Sequence, residues 1–196
     1  MIGAAEISRS IFGAWMLARF DRSGAALFDN TPDAFWRSFW AAFVVFPAFA
    51  ILLLLRSAHV EITVGPFSAF FIQMTGYAVG WLAFPYVMLY LTRLFDRDTR
   101  YYRYIAAYNW AVVIQIALML VVTALTASGL LPAAFGILLT AGAVISILIY
   151  QGFIAHAVLE IPAIGAIGIV AIDLVISLIL QSWTDRLLAG QAVIGG

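Results

Sequence analysis

AIGAIGIVAIDLVISLILQ, residues 163–181, decides the fold: the run holds one ionisable side chain, Asp173, and is otherwise almost wholly aliphatic. At about 1.5 Å of helix rise per residue it is long enough to cross a hydrocarbon layer of about 30 Å. Four more apolar blocks precede it, at residues 31–55, 65–94, 101–125 and 132–154. Over the 196 residues, 65% are hydrophobic and 10% charged, whereas a soluble domain carries roughly 25% charged residues. A water-soluble surface cannot be built from that supply. The fold expected is an all-α integral membrane protein, a bundle of five transmembrane helices with an amino-terminal interfacial helix.

Local signals place the boundaries. Thr31-Pro32-Asp33 supplies a capping hydroxyl and a proline at the first helical position. The helix it starts runs to about Leu55, with Phe35, Trp36, Phe39 and Trp40 at headgroup level. Arg56, His59 and Glu61 form the first exit loop. Gly65-Pro66 opens the second span, which contains Pro85 and exceeds one membrane thickness, so it tilts or kinks. Gly76 and Gly80 have the four-residue spacing that lets helices approach closely.

Ser128-Gly129 turns the third span into the fourth, residues 156–162 break the fourth from the fifth, and Trp183, Asp185 and Arg186 close the fifth. Ahead of the spans, residues 7–20 suit a helix with an apolar stripe of Ile7, Ile11, Trp15 and Ala18, broadened by Phe12, Met16 and Phe20. It either lies in the membrane interface or packs on the bundle, and residues 23–30 follow as a linker. Residues 1–30 thus form a cytoplasmic or interfacial segment, 31–187 the transmembrane domain and 188–196 a short non-cytoplasmic tail. The amino terminus does not read as a cleaved signal, because Glu6 precedes Arg9 and no small-residue cleavage site follows.

All ten basic residues are arginines, and they alternate between segments. Arg9, Arg19, Arg22 and Arg37 lie before or at the start of the first span, and Arg93, Arg97, Arg100 and Arg103 follow the second. The intervening segments hold Arg56 and Arg186. Cytoplasmic loops carry the arginine excess, which puts the amino terminus in the cytoplasm and the carboxyl terminus outside. Five spans and the arginine pattern agree.

Several chemistries are disfavoured. Without cysteine there is no disulfide, thiolate metal site or cysteine nucleophile, and His59 and His156 lie far apart for a zinc site. No phosphate-binding glycine loop, serine elbow or zincin motif occurs, and no basic run tracks a nucleic acid. No catalytic residue, cofactor or metal is expected, nor a nucleic-acid partner. His156 and Glu160, four apart, read as a polar pair at a helix end.

Asp173 is the anomaly, since a charged aspartate at mid-span costs about 2.5–3.5 kcal/mol on an insertion scale. It should face other helices. Gln115 is the partner named first, with Asn109 and Tyr108 nearer the cytoplasmic end of the same helix, and Gln73 and Gln151 extending the polar inventory. A hydrogen-bonded lock between helices is preferred to a proton or solute role. Arg93, Arg97, Arg100 and Arg103 with Tyr101 and Tyr104 offer a cytoplasmic surface for a partner.

The layout resembles the Yip1-domain family, in its uncharacterised bacterial branch. A cytoplasmic amino-terminal part, five closely spaced hydrophobic helices and a very short tail carry the resemblance, with residues 93–110 as its most suggestive part. The family's tyrosine-glycine-proline signature is absent, because Gly65-Pro66 follows Val64. The resemblance implies a bacterial inner-membrane protein that acts as a non-enzymatic scaffold or accessory subunit, binding another membrane protein or itself within the lipid bilayer. The alternative is a small-solute or proton transporter or channel built around Asp173.

Overall fold

In a computed structural model that describes residues 2–57 and 62–190, the described residues form helices as their only regular elements. They are α1 (Ala4–Ala18), α2 (Pro32–Ser38), α3 (Trp40–Ser57), α4 (Pro66–Leu94), α5 (Tyr101–Ala127), α6 (Ala133–Leu159) and α7 (Ala163–Leu188), with short 3-10 helices at Arg22–Leu27 and Asp98–Arg100. Five segments are long and apolar enough to cross a membrane: Pro32–Leu55, Pro66–Leu94, Asp98–Ala127, Ala133–Leu159 and Ala163–Leu188. The expected class, a five-span membrane bundle with an extra amino-terminal helix, is what the molecule is. His59 and Glu61 of the first exit loop, and residues 191–196 of the tail, lie outside the described residues.

α5 is the central post. It packs against α1, α2, α3 and α6, while α7 packs against α4 and α6. Its core side chains Tyr104, Ile105, Ala107, Trp110 and Ala111 are almost wholly buried. Outward-facing Phe43, Leu54, Phe67, Ile137 and Ile164 are exposed, the inverse of a soluble surface and the arrangement a lipid solvent stabilises. α3 leans on α5 and α4 on α7, with Tyr77 of α4 tying the two by donating to the Ala42 carbonyl at 2.6 Å and stacking on Phe49.

The amino-terminal helix packs on the bundle with most of the stripe expected, since Ile7, Ile11 and Ala18 are half-buried against the core, and its deepest contacts lie beside that stripe. Ser10, Gly13, Ala14 and Leu17 are buried, whereas Trp15 is 50% exposed. Small residues line the deepest contact because neighbouring side chains come close: Tyr150 of α6 donates to the Ala14 carbonyl at 2.7 Å, and a Cβ on Gly13 would lie 2.9 Å from the Phe28 ring. Residues expected as a linker form the 3-10 helix Arg22–Leu27, capped by Asp21, whose carboxylate accepts from the Ser23 backbone N–H at 2.9 Å and hydroxyl at 2.6 Å. Between them Phe20 (φ 61°) ends α1 in a Schellman turn, with Asp21 N bonded to Met16 O and Phe20 N to Leu17 O.

Thr31 caps α2 as expected, accepting from Ala34 N at 3.2 Å. The first span breaks once, at Phe39, where Ser38 turns its buried hydroxyl back to the Phe35 carbonyl at 2.7 Å. The last two spans run further than expected. α6 continues to Leu159 and stops because Glu160 adopts φ 52°, and α7 carries Trp183, Asp185 and Arg186 within its helix.

The His156–Glu160 pair does not form. That left-handed cap swings Glu160 to Arg100 at 2.7 Å, while His156 Nδ1 donates to the Ile161 carbonyl and its Nε2 accepts from Arg22, both at 2.6 Å. Further bonds draw the amino-terminal segment and the α4–α5 and α6–α7 connections to one end: Asn30 donates to Thr99 O and Arg103 to Phe28 O. The α7 terminus meets the start of α4 at the other end, where Thr63 N donates to Leu188 O at 3.0 Å. Arg9, Arg37, Arg100 and Arg103 thus share one rim, held by Arg9–Asp29, Arg37–Glu6, Arg37–Asp33 and Arg100–Glu160 pairs.

Candidate intramembrane polar site

Asp173 is only 6% exposed, and its register explains its partners. α5 and α7 both start at the arginine rim, and α6 ends there. Counting about 1.5 Å per residue from that rim, Asp173 lies about 15 Å deep, Tyr108 about 10 Å and Gln115 about 20 Å. Asp173 sits between the two α5 side chains in depth. Tyr108 reaches it directly, its phenol shared between the two carboxylate oxygens at 3.0 and 2.9 Å. Gln151 of α6 completes the set, its amide nitrogen 3.1 Å from Oδ2 and 3.5 Å from the Gln115 carbonyl oxygen.

Gln115 is therefore one link removed from the aspartate, with Gln151 between them. Its own amide nitrogen is buried without a hydrogen-bond partner. Asn109 goes elsewhere, because adjacent helical residues point about 100° apart. It donates to Ser38 of α2 at 2.8 Å, and its Oδ1 is likewise buried and unpartnered. Unmet buried polar atoms cost about 1–3 kcal/mol each, and the one on Gln115 lies a single link from the buried carboxylate.

Cavities flank the network. One of about 320 Å³ is lined by Gln73, Gly80, Tyr108, Asn109, Ser177 and Gln181, among others. A pocket at the far end of α7, bounded by Asp185 and Arg186, shares Gln181 with it. On the opposite side of the network, Gln115, Ser146 and Tyr150 line a separate cavity of about 320 Å³. Toward the arginine rim the layer is closed, since Phe84, Tyr104, Ile154, Val158 and Ile169 are buried apolar or aromatic neighbours. The cavity at Tyr108 extends through Ser177, Gln181 and Thr184 toward the end where α7 finishes.

Gln73 faces that access route and does not touch Asp173. Gly76 and Gly80 line it too, yet differ: a Cβ on Gly76 would sit 3.0 Å from the Thr184 hydroxyl, while Gly80 has open space. Only Gly76 marks a close approach, of α4 to α7. Ser177, Gln181 and Thr184 were not singled out from the sequence, although their spacing from Asp173 continues one polar stripe down α7.

Of the six residues expected to present a partner surface, several turn inward. Tyr101 and Tyr104 are buried, with Tyr101 donating to the Pro85 carbonyl at 3.0 Å. Arg100 and Arg103 bond within the fold, and Arg97 is half-buried with an unpartnered Nε. Arg93 stays exposed. Among the described residues no three acidic or histidine side chains gather as metal ligands. Compared with known protein families, curated proteins and solved structures, the chain matches none, and nothing there points to the Yip1-domain family.

Proposed function

We propose that the protein is a small membrane transporter or channel in which Asp173 binds a proton or a small cationic solute arriving from the end where α7 terminates. The observation that carries this reading is the carboxylate's company. Its hydrogen-bond donors are a phenol and an amide, both neutral, so the charge that balances it has to come from a ligand or a proton. A lock needs only satisfied groups. Here Gln115 and Asn109 retain unmet atoms, and a polar cavity reaches Tyr108.

The scaffold reading has less behind it, because the tyrosines it relied on are folded into the core. By the arginine excess, the rim with the amino terminus faces the cytoplasm and the access route opens outside. The all-arginine, short-loop style further suits a bacterial inner membrane, and the chain acts without catalysing a covalent step. The test is flux into proteoliposomes. Proton uptake and small-cation uptake are measured for the wild-type chain, Asp173→Asn and Tyr108→Phe. Loss of flux in Asp173→Asn with unchanged folding is expected, whereas full flux in that variant would sink the proposal.

A further inference from the structure

A groove unrelated to the Asp173 route runs down the outer side of α6 and α7. It measures about 590 Å³ and is lined by Ile149, Gly152, Phe153, Ile167, Val170 and Leu174, with His156 as its one titratable member. The groove extends from Leu148 to His156 along α6, about 12 Å by helix rise. That is most of one leaflet, half of a hydrocarbon core of about 30 Å. It exists because Gly152 and Ala171 are small where larger side chains would close it.

Its upper end is cationic. His156 is bonded to Arg22, whose guanidinium has no carboxylate partner among the described residues, and Arg19 is exposed on the preceding turn. Of the acids nearby, Glu160 pairs with Arg100, and the Asp21 carboxylate, which accepts from Ser23, sits beside Arg19, so Arg22 is the guanidinium without an acid among the described residues there. Phe20 joins the two halves. Held at φ 61°, a conformation an aromatic residue seldom adopts, it packs edge-on against Phe153 at 5.2 Å and walls the groove directly beneath the arginines.

We propose that this is a binding site for an anionic phospholipid of the leaflet at the arginine rim, with an acyl chain in the α6–α7 groove and the phosphate on Arg22. The leaflet-length apolar slot and the unpaired guanidinium at headgroup level are both required. A soluble phosphate lacks the first, and a zwitterionic lipid gains less from the second because its own ammonium offsets the phosphate charge.

The test is lipid retention by the full chain in detergent, read by native mass spectrometry with phosphatidylglycerol and phosphatidylcholine of identical chains. Phosphatidylglycerol should be retained about fivefold better, the effect expected of one arginine near a headgroup. Arg22→Gln should remove the preference and Arg22→Lys restore it. Ala171→Phe, on the exposed wall of the groove, should lower retention of both lipids, and glycerol 3-phosphate should not compete. Equal retention of the two lipids, a preference that survives Arg22→Gln, or competition by glycerol 3-phosphate would overturn the proposal. Thermal unfolding of each variant identifies any loss caused by misfolding, and Arg22→Lys decides the charge requirement independently of it.

Discussion

Asp173 announces itself because a carboxylate in an aliphatic run has no cheap explanation. Its partners were harder to read. Tyr108 belongs to the aromatic-rich start of α5, where tyrosines pass for headgroup anchors, and only the parallel register of α5 and α7 brings its phenol to the carboxylate. Asn109, the more polar neighbour, faces Ser38 instead. Tyr108→Phe should destabilise the fold by about 1–3 kcal/mol, as removal of a hydrogen bond to a charged group does, read as a lower unfolding midpoint. Outside the membrane, the two Ser23 bonds hold the Asp21 carboxyl below its ordinary value of 3.8. The stabilisation is present above that value and disappears as pH falls through the lowered one. The protection of amides around Gly24, taken against the intrinsic exchange rate at each pH, should therefore fall on acidification, and Asp21→Asn should blunt the change.

Helix identity was plain from hydropathy, and the caps at Thr31 and Pro66 set the starts. Helix ends were less legible, because polar and aromatic residues that look like loop are tolerated in a last turn. His156 and Trp183 both sit inside their helices. Apolar spacing found Ile7, Ile11 and Ala18 of the packed face of α1 but not Ser10, Gly13 and Ala14, because close packing selects small residues. The same rule distinguishes Gly76 from Gly80. Gly76→Val should cost about 1–3 kcal/mol through overpacking against Thr184, and Gly80→Val much less. Adding Thr184→Ala should recover part of the Gly76→Val loss, measured as a double-mutant cycle.

Taken together, the bundle is asymmetric along its axis. Arginines and three converging chain segments close one end by ion pairs and buried aromatic residues, while the other leads through Gln181 and Ser177 to Tyr108, the residue that bonds Asp173. Reporter fusions should place residues 2 and 190 on opposite sides of the membrane, as five spans require. The chain has no cysteine, so single-cysteine variants report without background. The most direct measurement is labelling of Ser177→Cys and Ile169→Cys by a membrane-impermeant thiol reagent added from each side of the bilayer. One-sided access to the polar layer predicts that Ser177→Cys reacts only from the side of the α7 terminus and is slowed by small cations added at constant pH, while Ile169→Cys stays unreactive from both. Labelling of Ile169→Cys from the arginine side, or an inert Ser177→Cys, would contradict it.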